Sequence, residues 1–245
     1  MPRLIIILVL IVVSVITHGA SLPAFSLLGI IPFKTSYTIA VYGDSMVDTM
    51  GEQLDYLQTA MKKRHPHTTI YYYNYGIGSQ NVEEGLSRFH QSFDYKDRHY
   101  PSISSLHPDI IVIGSFAYNP FYPYDRDKHW NTLIKLVQEA KNTGASVYML
   151  AEIAPLKTGF GKGPNGVSWQ DSALSEQAQK ITELLENSVY LAQDHLKVPL
   201  INAYSASTVD GKFGKRSYVD TNDGIHPSVA GHQFMAEMIA KTLKF

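Results

Sequence analysis

Beyond residue 34, hydrophobic and polar positions follow two alternating patterns along the chain. Short apolar and aromatic runs, such as 37–42 and 109–115, have the length and composition of β-strands buried in a sheet. Between them lie segments in which apolar residues recur every three or four positions, as in amphipathic helices. Strands that alternate with helices predict right-handed βαβ crossovers, and therefore a three-layer α/β/α sandwich around a central, mostly parallel sheet.

The same patterns give approximate bounds for each element. We expect strands at 37–42, 69–73, 109–115, 146–150 and 198–201, and helices at about 47–61, 82–89, 127–143, 172–195 and 228–243. A glycine-rich stretch at 159–169 predicts a mobile loop, which serves either as a lid or as a plain connection. The sequence shows no internal repeat and no second domain, so we expect 34–245 to form one domain.

The first 33 residues differ from the rest because they carry no charged side chain after Arg3. Residues 4–16 are apolar except for Ser14, which predicts a secretory signal or a single membrane anchor. The small residues that follow form a poor cleavage pattern, and the uncharged stretch extends further, which favours an uncleaved anchor; a buried helix is the alternative. We therefore expect 1–33 to contact the membrane or direct export, with the domain outside.

Composition excludes several classes of function. Lys plus Arg number 21 and Asp plus Glu 22, for a net charge of −1, so no basic surplus is present to bind a nucleic acid backbone. The absence of cysteine excludes disulfides, thiolate metal sites and a cysteine nucleophile. The ten histidines lack carboxylate partners at ligand spacing, so we expect no metal site.

Two short polar motifs stand at opposite ends of the predicted domain. Ser45 follows the first strand in the sequence Gly-Asp-Ser, and Asp223 and His226 precede the last helix in Asp-Gly-Ile-His-Pro. A serine hydroxyl needs an imidazole to accept its proton and a carboxylate to orient that imidazole. Each motif alone fits an ordinary turn or helix cap. Together, at the edge of a parallel sheet where ligands bind, they predict one site assembled by folding.

These motifs resemble those of the SGNH (GDSL-type) hydrolase family, and the likeness spans roughly 37–243. The resemblance implies a flavodoxin-like fold and a serine esterase that needs no metal or organic cofactor. It assigns Ser45 as nucleophile, His226 as general base and Asp223 as the acid that orients it.

The resemblance also implies an oxyanion hole, the set of donors that stabilises negative charge on the substrate oxygen. It assigns the backbone N–H groups of Ser45 and Gly78 as donors of this hole, with Gly76 and Ser79 as alternatives to Gly78. The family's usual Gly-x-Asn-Asp is absent after the third strand, where 114–120 reads Gly-Ser-Phe-Ala-Tyr-Asn-Pro.

Asn119 is the asparagine within that departing segment, so the side-chain donor role passes to it. The alternative is that Asn119 only braces the turn before Pro120. Several aromatic residues cluster around it in the sequence: Phe116, Tyr118, Phe121, Tyr122, Tyr124 and Trp130. One interpretation is that these residues line a pocket for an acyl group or a sugar. The alternative is that they pack in the core.

The expected location outside the cell and the family resemblance favour short acyl esters as substrates. O-acetyl groups on cell-wall or extracellular carbohydrate fit both. One alternative is an acyltransferase that passes the acyl group to a sugar hydroxyl instead of water. Another is a carbohydrate-binding or cell-surface module without turnover, against which the intact Ser45, Asp223 and His226 argue.

Overall fold

A parallel sheet forms the centre of the fold. The computed structural model describes Lys34, residues 36–96 and residues 98–245. Its strands are β1 (Ser36–Gly43), β2 (Thr69–Gly76), β3 (Phe93–Tyr95), β4 (Arg98–Tyr100), β5 (Ile110–Gly114), β6 (Ser146–Ala151) and β7 (Leu200–Asn202). The central sheet has the order β2-β1-β5-β6-β7, with neighbouring strands parallel. This is the flavodoxin-like order, and it confirms the predicted fold class.

Helices cover both faces of this sheet, because successive side chains of a strand point to opposite faces. The helices are α1 (Ser45–Asp48), α2 (Asp55–Arg64), α3 (Val82–Arg88), α4 (Ile103–Leu106), α5 (Arg126–Asn142), α6 (Asp171–Tyr190), α7 (Ala203–Ser207) and α8 (Val229–Thr242). Ile39 and Val41 of β1 belong to a core shared with α2, α6 and α8. Ala40 and Tyr42 belong to a second core shared with α3 and α5. Three layers result.

The helix predicted at 47–61 is interrupted, which corrects the sequence-based expectation. Its apolar positions are buried as expected, but the chain turns between α1 and α2, where Gly51 and Leu54 adopt φ angles of +88° and +54°. The side-chain amide of Asn74 donates to three carbonyl oxygens at the break, those of Val47, Asp48 and Gly51. These bonds replace the helical ones that the break removes.

The antiparallel hairpin β3–β4 was not predicted, because strands of three residues are too short to show a period-two pattern. It forms a sheet separate from the central one. The long helix expected to end at 195 ends instead at Tyr190 and continues as a π-helical turn, Leu191–His195.

The predicted anchor or signal, 1–33, lies outside the described residues. Within the ranges that the structure describes, none of the helices combines the length and the apolarity that a membrane crossing requires.

Candidate active site

The ends of three neighbouring strands form the rim that carries the candidate residues. Gly43 at the end of β1 pairs in register with Gly76 at the end of β2, and β5 ends beside β1 at Gly114. Because these strands are parallel, the segments that follow them emerge on the same side. Ser45 and Gly78 follow the first two strands.

Ser45 is the first residue of the single-turn helix α1, and it is half-buried. The preceding residue, Asp44, is the N-cap, and its Oδ1 accepts a hydrogen bond from the N–H of Met46 at 2.9 Å. Capping by a buried carboxylate fixes the turn between strand and helix. The serine side chain is therefore presented by a rigid turn.

Asp223 and His226 lie in one turn, residues 223–226, which we call the acid–base turn. Asp223 Oδ2 lies 2.6 Å from His226 Nδ1, and Oδ1 accepts from the N–H groups of Ile225 at 2.7 Å and His226 at 3.0 Å. With Nδ1–H donating to the carboxylate, Nε2 is the basic nitrogen. Burial raises the pKa of Asp223, but the hydrogen bonds from His226 and from the two backbone N–H groups outweigh it, so the pKa lies below its usual value.

The glycine-rich loop lies against this acid–base turn. The N–H of Gly161 donates to the carbonyl oxygen of Gly224 at 3.1 Å, and the N–H of Asn165 donates to that of Asn222 at 2.7 Å. Asp223 lies between these two acceptors in sequence. The loop expected to be a mobile lid or a plain connection thus braces the backbone that carries Asp223.

Gly78 lies beside the turn that carries Ser45. A Cβ built on Gly78 would lie 4.0 Å from the Cβ of Ser45. The N–H of Gly76 is engaged within its own turn, donating to Asn74 Oδ1 at 2.8 Å. The N–H of Gly78 donates instead to the hydroxyl of Tyr95 at 3.3 Å.

Tyr95, at the end of β3, was missed by sequence reasoning. Its hydroxyl accepts from the Gly78 N–H and donates to Asp48 Oδ2 at 3.0 Å. Lys96 Nζ contacts the same oxygen at 2.8 Å. A substrate oxygen that approaches the Gly78 N–H must take the place of the tyrosine hydroxyl.

Asn119 lies against the turn that carries Ser45, even though the segment around it, 114–120, departs from the family pattern. Its Nδ2 donates to Asp44 Oδ2 at 3.0 Å. An amide nitrogen carries two hydrogens, so this bond orients the group and leaves a second N–H to donate. The contact joins the segment after β5 to the segment after β1.

Two buried acids, Asp44 and Glu152, lie beneath the rim, each 1% exposed. Burial raises the pKa of Glu152, and the negative charge of Asp44 raises it further. Burial also raises the pKa of Asp44, but hydrogen bonds from Met46 and Asn119 and the nearby charge of His226 offset part of this rise. The pKa of Glu152 is therefore raised more strongly than that of Asp44. Sequence reasoning missed Glu152, whose one signal is an acid in an otherwise apolar run.

The structure does not bring Ser45 and His226 into hydrogen-bonding contact. Within the described residues Ser45 Oγ forms no hydrogen bond, so this conformation lacks the direct contact with His226 that proton transfer requires. His226 is nevertheless close enough to lower the pKa of Asp44, the neighbour of Ser45. Bonds of this kind often tighten only when substrate is present. The described residues contain no group of three or more His, Asp or Glu side chains placed to hold a metal ion.

A flavodoxin-like sandwich with this polar rim defines the class of the protein, an ester-hydrolysing α/β enzyme. Residues 41–234 match the GDSL-like Lipase/Acylhydrolase family, and the chain belongs to that family. The resemblance carried by the sequence motifs is thereby confirmed. No curated protein sequence matches the chain.

Solved structures of this family share the fold. A GDSL-like lipase from Bacteroides thetaiotaomicron is 19% identical, with a TM-score of 0.60 over 84% of this chain and 86% of that one. The lipase/acylhydrolase from Enterococcus faecalis is 19% identical, with a TM-score of 0.58 over 84% and 94%. A catalytic mutant of an acetylxylan esterase from Geobacillus stearothermophilus is 16% identical, with a TM-score of 0.57 over 85% and 94%.

Proposed function

We propose that this chain is an exported serine esterase that removes short acyl groups, above all O-acetyl groups, from carbohydrate. Ser45 is the nucleophile, His226 the general base and Asp223 the acid that orients it. The observation that carries the proposal is the Asp223–His226 hydrogen bond of 2.6 Å, which leaves Nε2 as the basic nitrogen of the imidazole.

The reaction proceeds through an acyl-enzyme. Ser45 Oγ attacks the ester carbonyl while His226 Nε2 takes its proton, and the ionised Asp223 stabilises the imidazolium. The leaving alcohol takes that proton as the C–O bond breaks. Water then attacks the acyl-serine while the same nitrogen takes its proton, and His226 returns that proton to Ser45 Oγ as the C–O bond breaks and the acid leaves.

Three donors stabilise the negative oxygen of the tetrahedral intermediate in this proposal. They are the N–H groups of Ser45 and Gly78 and the free N–H of the Asn119 amide. The substrate oxygen displaces the Tyr95 hydroxyl from Gly78 as it enters. Each such donor lowers the barrier by on the order of 3 kcal/mol.

The burial of the aromatic side chains near Asn119 supports a short acyl group. Phe116 and Tyr118, candidates for a pocket wall, are buried in the two cores, whereas Tyr122 is fully exposed. These aromatic side chains therefore do not line an apolar channel at Asn119. The fold shared with an acetylxylan esterase supports an acetylated glycan. The uncharged N-terminal stretch, with Arg3 as its last charge before Lys34, supports export.

The test is hydrolysis by the full chain of aryl esters of increasing acyl length and of acetylated xylan. We expect kcat/KM to be highest for acetyl, and Ser45→Ala to reduce hydrolysis to background. Ser87→Ala, an exposed serine of α3, is the matched control and keeps full activity. Turnover that survives Ser45→Ala would exclude the mechanism, and an optimum at long acyl chains would exclude the substrate class. Acyl transfer to an added acceptor sugar, with no free acid formed, would establish the transferase instead.

A further inference from the structure

The turn that carries Asn119 is longer than the family's usual block and is conformationally strained. Four residues separate Gly114 from Asn119, where Gly-x-Asn-Asp has one. Among them Phe116 adopts a left-handed conformation, with φ of +56°. A bulky side chain is disfavoured in this conformation. Strain of this kind persists only where surrounding contacts hold the backbone in place.

Glu152, directly after β6, holds the first half of this turn. Its Oε1 accepts from the N–H of Ser115 at 2.9 Å, and its Oε2 accepts from the Ser115 hydroxyl in a short hydrogen bond. The Ser115 Oγ in turn accepts from the N–H of Ala117 at 3.1 Å. One buried carboxyl thus fixes the backbone on both sides of the strained Phe116.

Room for Glu152 depends on Gly114. A Cβ at residue 114 would lie 2.6 Å from Glu152 Oε1, so a side chain there would displace the carboxyl. The next residue, Ile153, accepts from the Tyr118 hydroxyl at 2.8 Å. The segment after β6 therefore holds the turn at both Ser115 and Tyr118, immediately before Asn119.

We propose that Glu152 is a positioning residue of the oxyanion hole: through Ser115 it fixes the turn that presents the Asn119 amide to the substrate oxygen. Glu152 is fully enclosed and does not touch substrate. The inference rests on the proposed function, because Asn119 matters to catalysis only if an oxyanion forms beside it.

The kinetic test compares Glu152→Ala with Glu152→Gln in the full chain. Glutamine can accept from the Ser115 N–H and donate to its Oγ, so we expect kcat for an aryl acetate to stay within about threefold. Alanine removes both contacts, and we expect kcat to fall about 10–100-fold while KM changes less than about twofold. Ser188→Ala is the control: it removes a buried hydroxyl in α6, bonded to Leu184, and leaves kcat unchanged.

A double mutant separates positioning from general damage. If Glu152 acts through Asn119, adding Glu152→Ala to Asn119→Ala lowers kcat by less than about threefold further. Additive losses would overturn the proposal, as would full activity of Glu152→Ala. Should Glu152→Ala fail to fold, Ser115→Ala breaks the same link and replaces it in the cycle.

A spectroscopic readout does not depend on activity. The side-chain amide signal of Asn119 in a ¹⁵N–¹H correlation spectrum is identified by its loss in Asn119→Ala. We expect this signal to shift in Glu152→Ala and to stay in place in Glu152→Gln and Ser188→Ala. An unmoved signal in Glu152→Ala would refute positioning. If the wild-type chain hydrolyses no ester, the proposed function fails while this signal still decides whether Glu152 orients Asn119.

Discussion

The two turns that bring polar groups to the rim are built in opposite ways. In the acid–base turn, Asp223 bonds to residues two and three positions further along the chain. In the turn at 115–119, the important bonds join residues 37 and 75 positions apart, Ser115 to Glu152 and Asn119 to Asp44. The Asp223–His226 geometry of the first turn is set by bonds within its own sequence, and the loop at 159–169 braces its backbone from outside. The second obtains its geometry from the rest of the fold.

This difference predicts how each turn responds to mutation. In the proposed mechanism a change in the acid–base turn removes a group that acts on the reacting atoms, so we expect it to lower the rate without unfolding the protein. A change around 115–119 acts through displacement of Asn119, so rate and stability fall together. Substitutions in each turn and in the contacts behind it test that distinction.

Asp223→Asn is expected to lower kcat by about 10⁴-fold, because an amide that donates to Nδ1 places the imidazole proton on Nε2. The side-chain oxygen still caps the turn, so the melting temperature should change little. Asp220→Asn, in the same turn and bonded to the N–H of Asn222, is the matched control with normal kcat. A loss of less than tenfold in Asp223→Asn would remove that residue from the mechanism.

Asn119→Ala is expected to lower kcat by about 10²–10³-fold with KM largely unaltered, because the amide stabilises charge that develops only in the transition state. Steady-state kinetics with an aryl acetate measures this. Asn131→Ala, an exposed position on α5, serves as the control. A variant with the full rate would assign the third donor to another group.

Gly163→Ala tests the brace behind the acid–base turn. Gly163 has a φ of +157°, and a Cβ there would press on the carbonyl oxygen of Asn222. We expect the free energy of unfolding to fall by about 2 kcal/mol, with a loss of kcat of about tenfold. Gly211→Ala is a sharp control, since Gly211 has a φ of +85° but nothing within 4 Å of the added carbon. If both variants keep normal kcat, the loop does not position Asp223.

His129 gives a pH test of the long-range turn, because its Nε2 lies 3.0 Å from the carbonyl oxygen of Ser115. Burial lowers the pKa of His129 to about 4, from an ordinary value of 6.5. Below pH 6.5 the unfolded chain therefore binds a proton that the folded one does not, so stability falls as the pH drops. We expect a loss of roughly 1 kcal/mol between pH 7 and pH 5.5.

Chemical denaturation at the two pH values, in wild type and His129→Gln, isolates this contribution. Glutamine keeps a donor for Ser115 but does not titrate, so its stability should change less with pH. His67→Gln, at an exposed position, is the control and should follow the wild type. Equal pH dependence in His129→Gln and wild type would contradict the assignment.

The same contrast explains how much the sequence could predict. The alternating strands and helices fixed the fold class, because each strand of the sheet carries its own apolar run. The sequence left Gly76, Gly78 and Ser79 as alternatives for the second oxyanion N–H, because the bond from the Gly76 N–H to the Asn74 side chain has no local sequence signal. Glu152 and Tyr95 were missed because their roles depend on contacts with Ser115 and Gly78, which no local spacing encodes. The interruption between α1 and α2 was missed because buried apolar residues continue across it.

The hairpin β3–β4 is a separate sheet, yet Tyr95 and Lys96 reach from it to Asp48 on the helix that Ser45 begins. Its length and composition can therefore be altered without re-registering the central strands. A change in this hairpin would reach the turn that carries Ser45 through Tyr95 and Lys96, and would leave the remaining architecture intact.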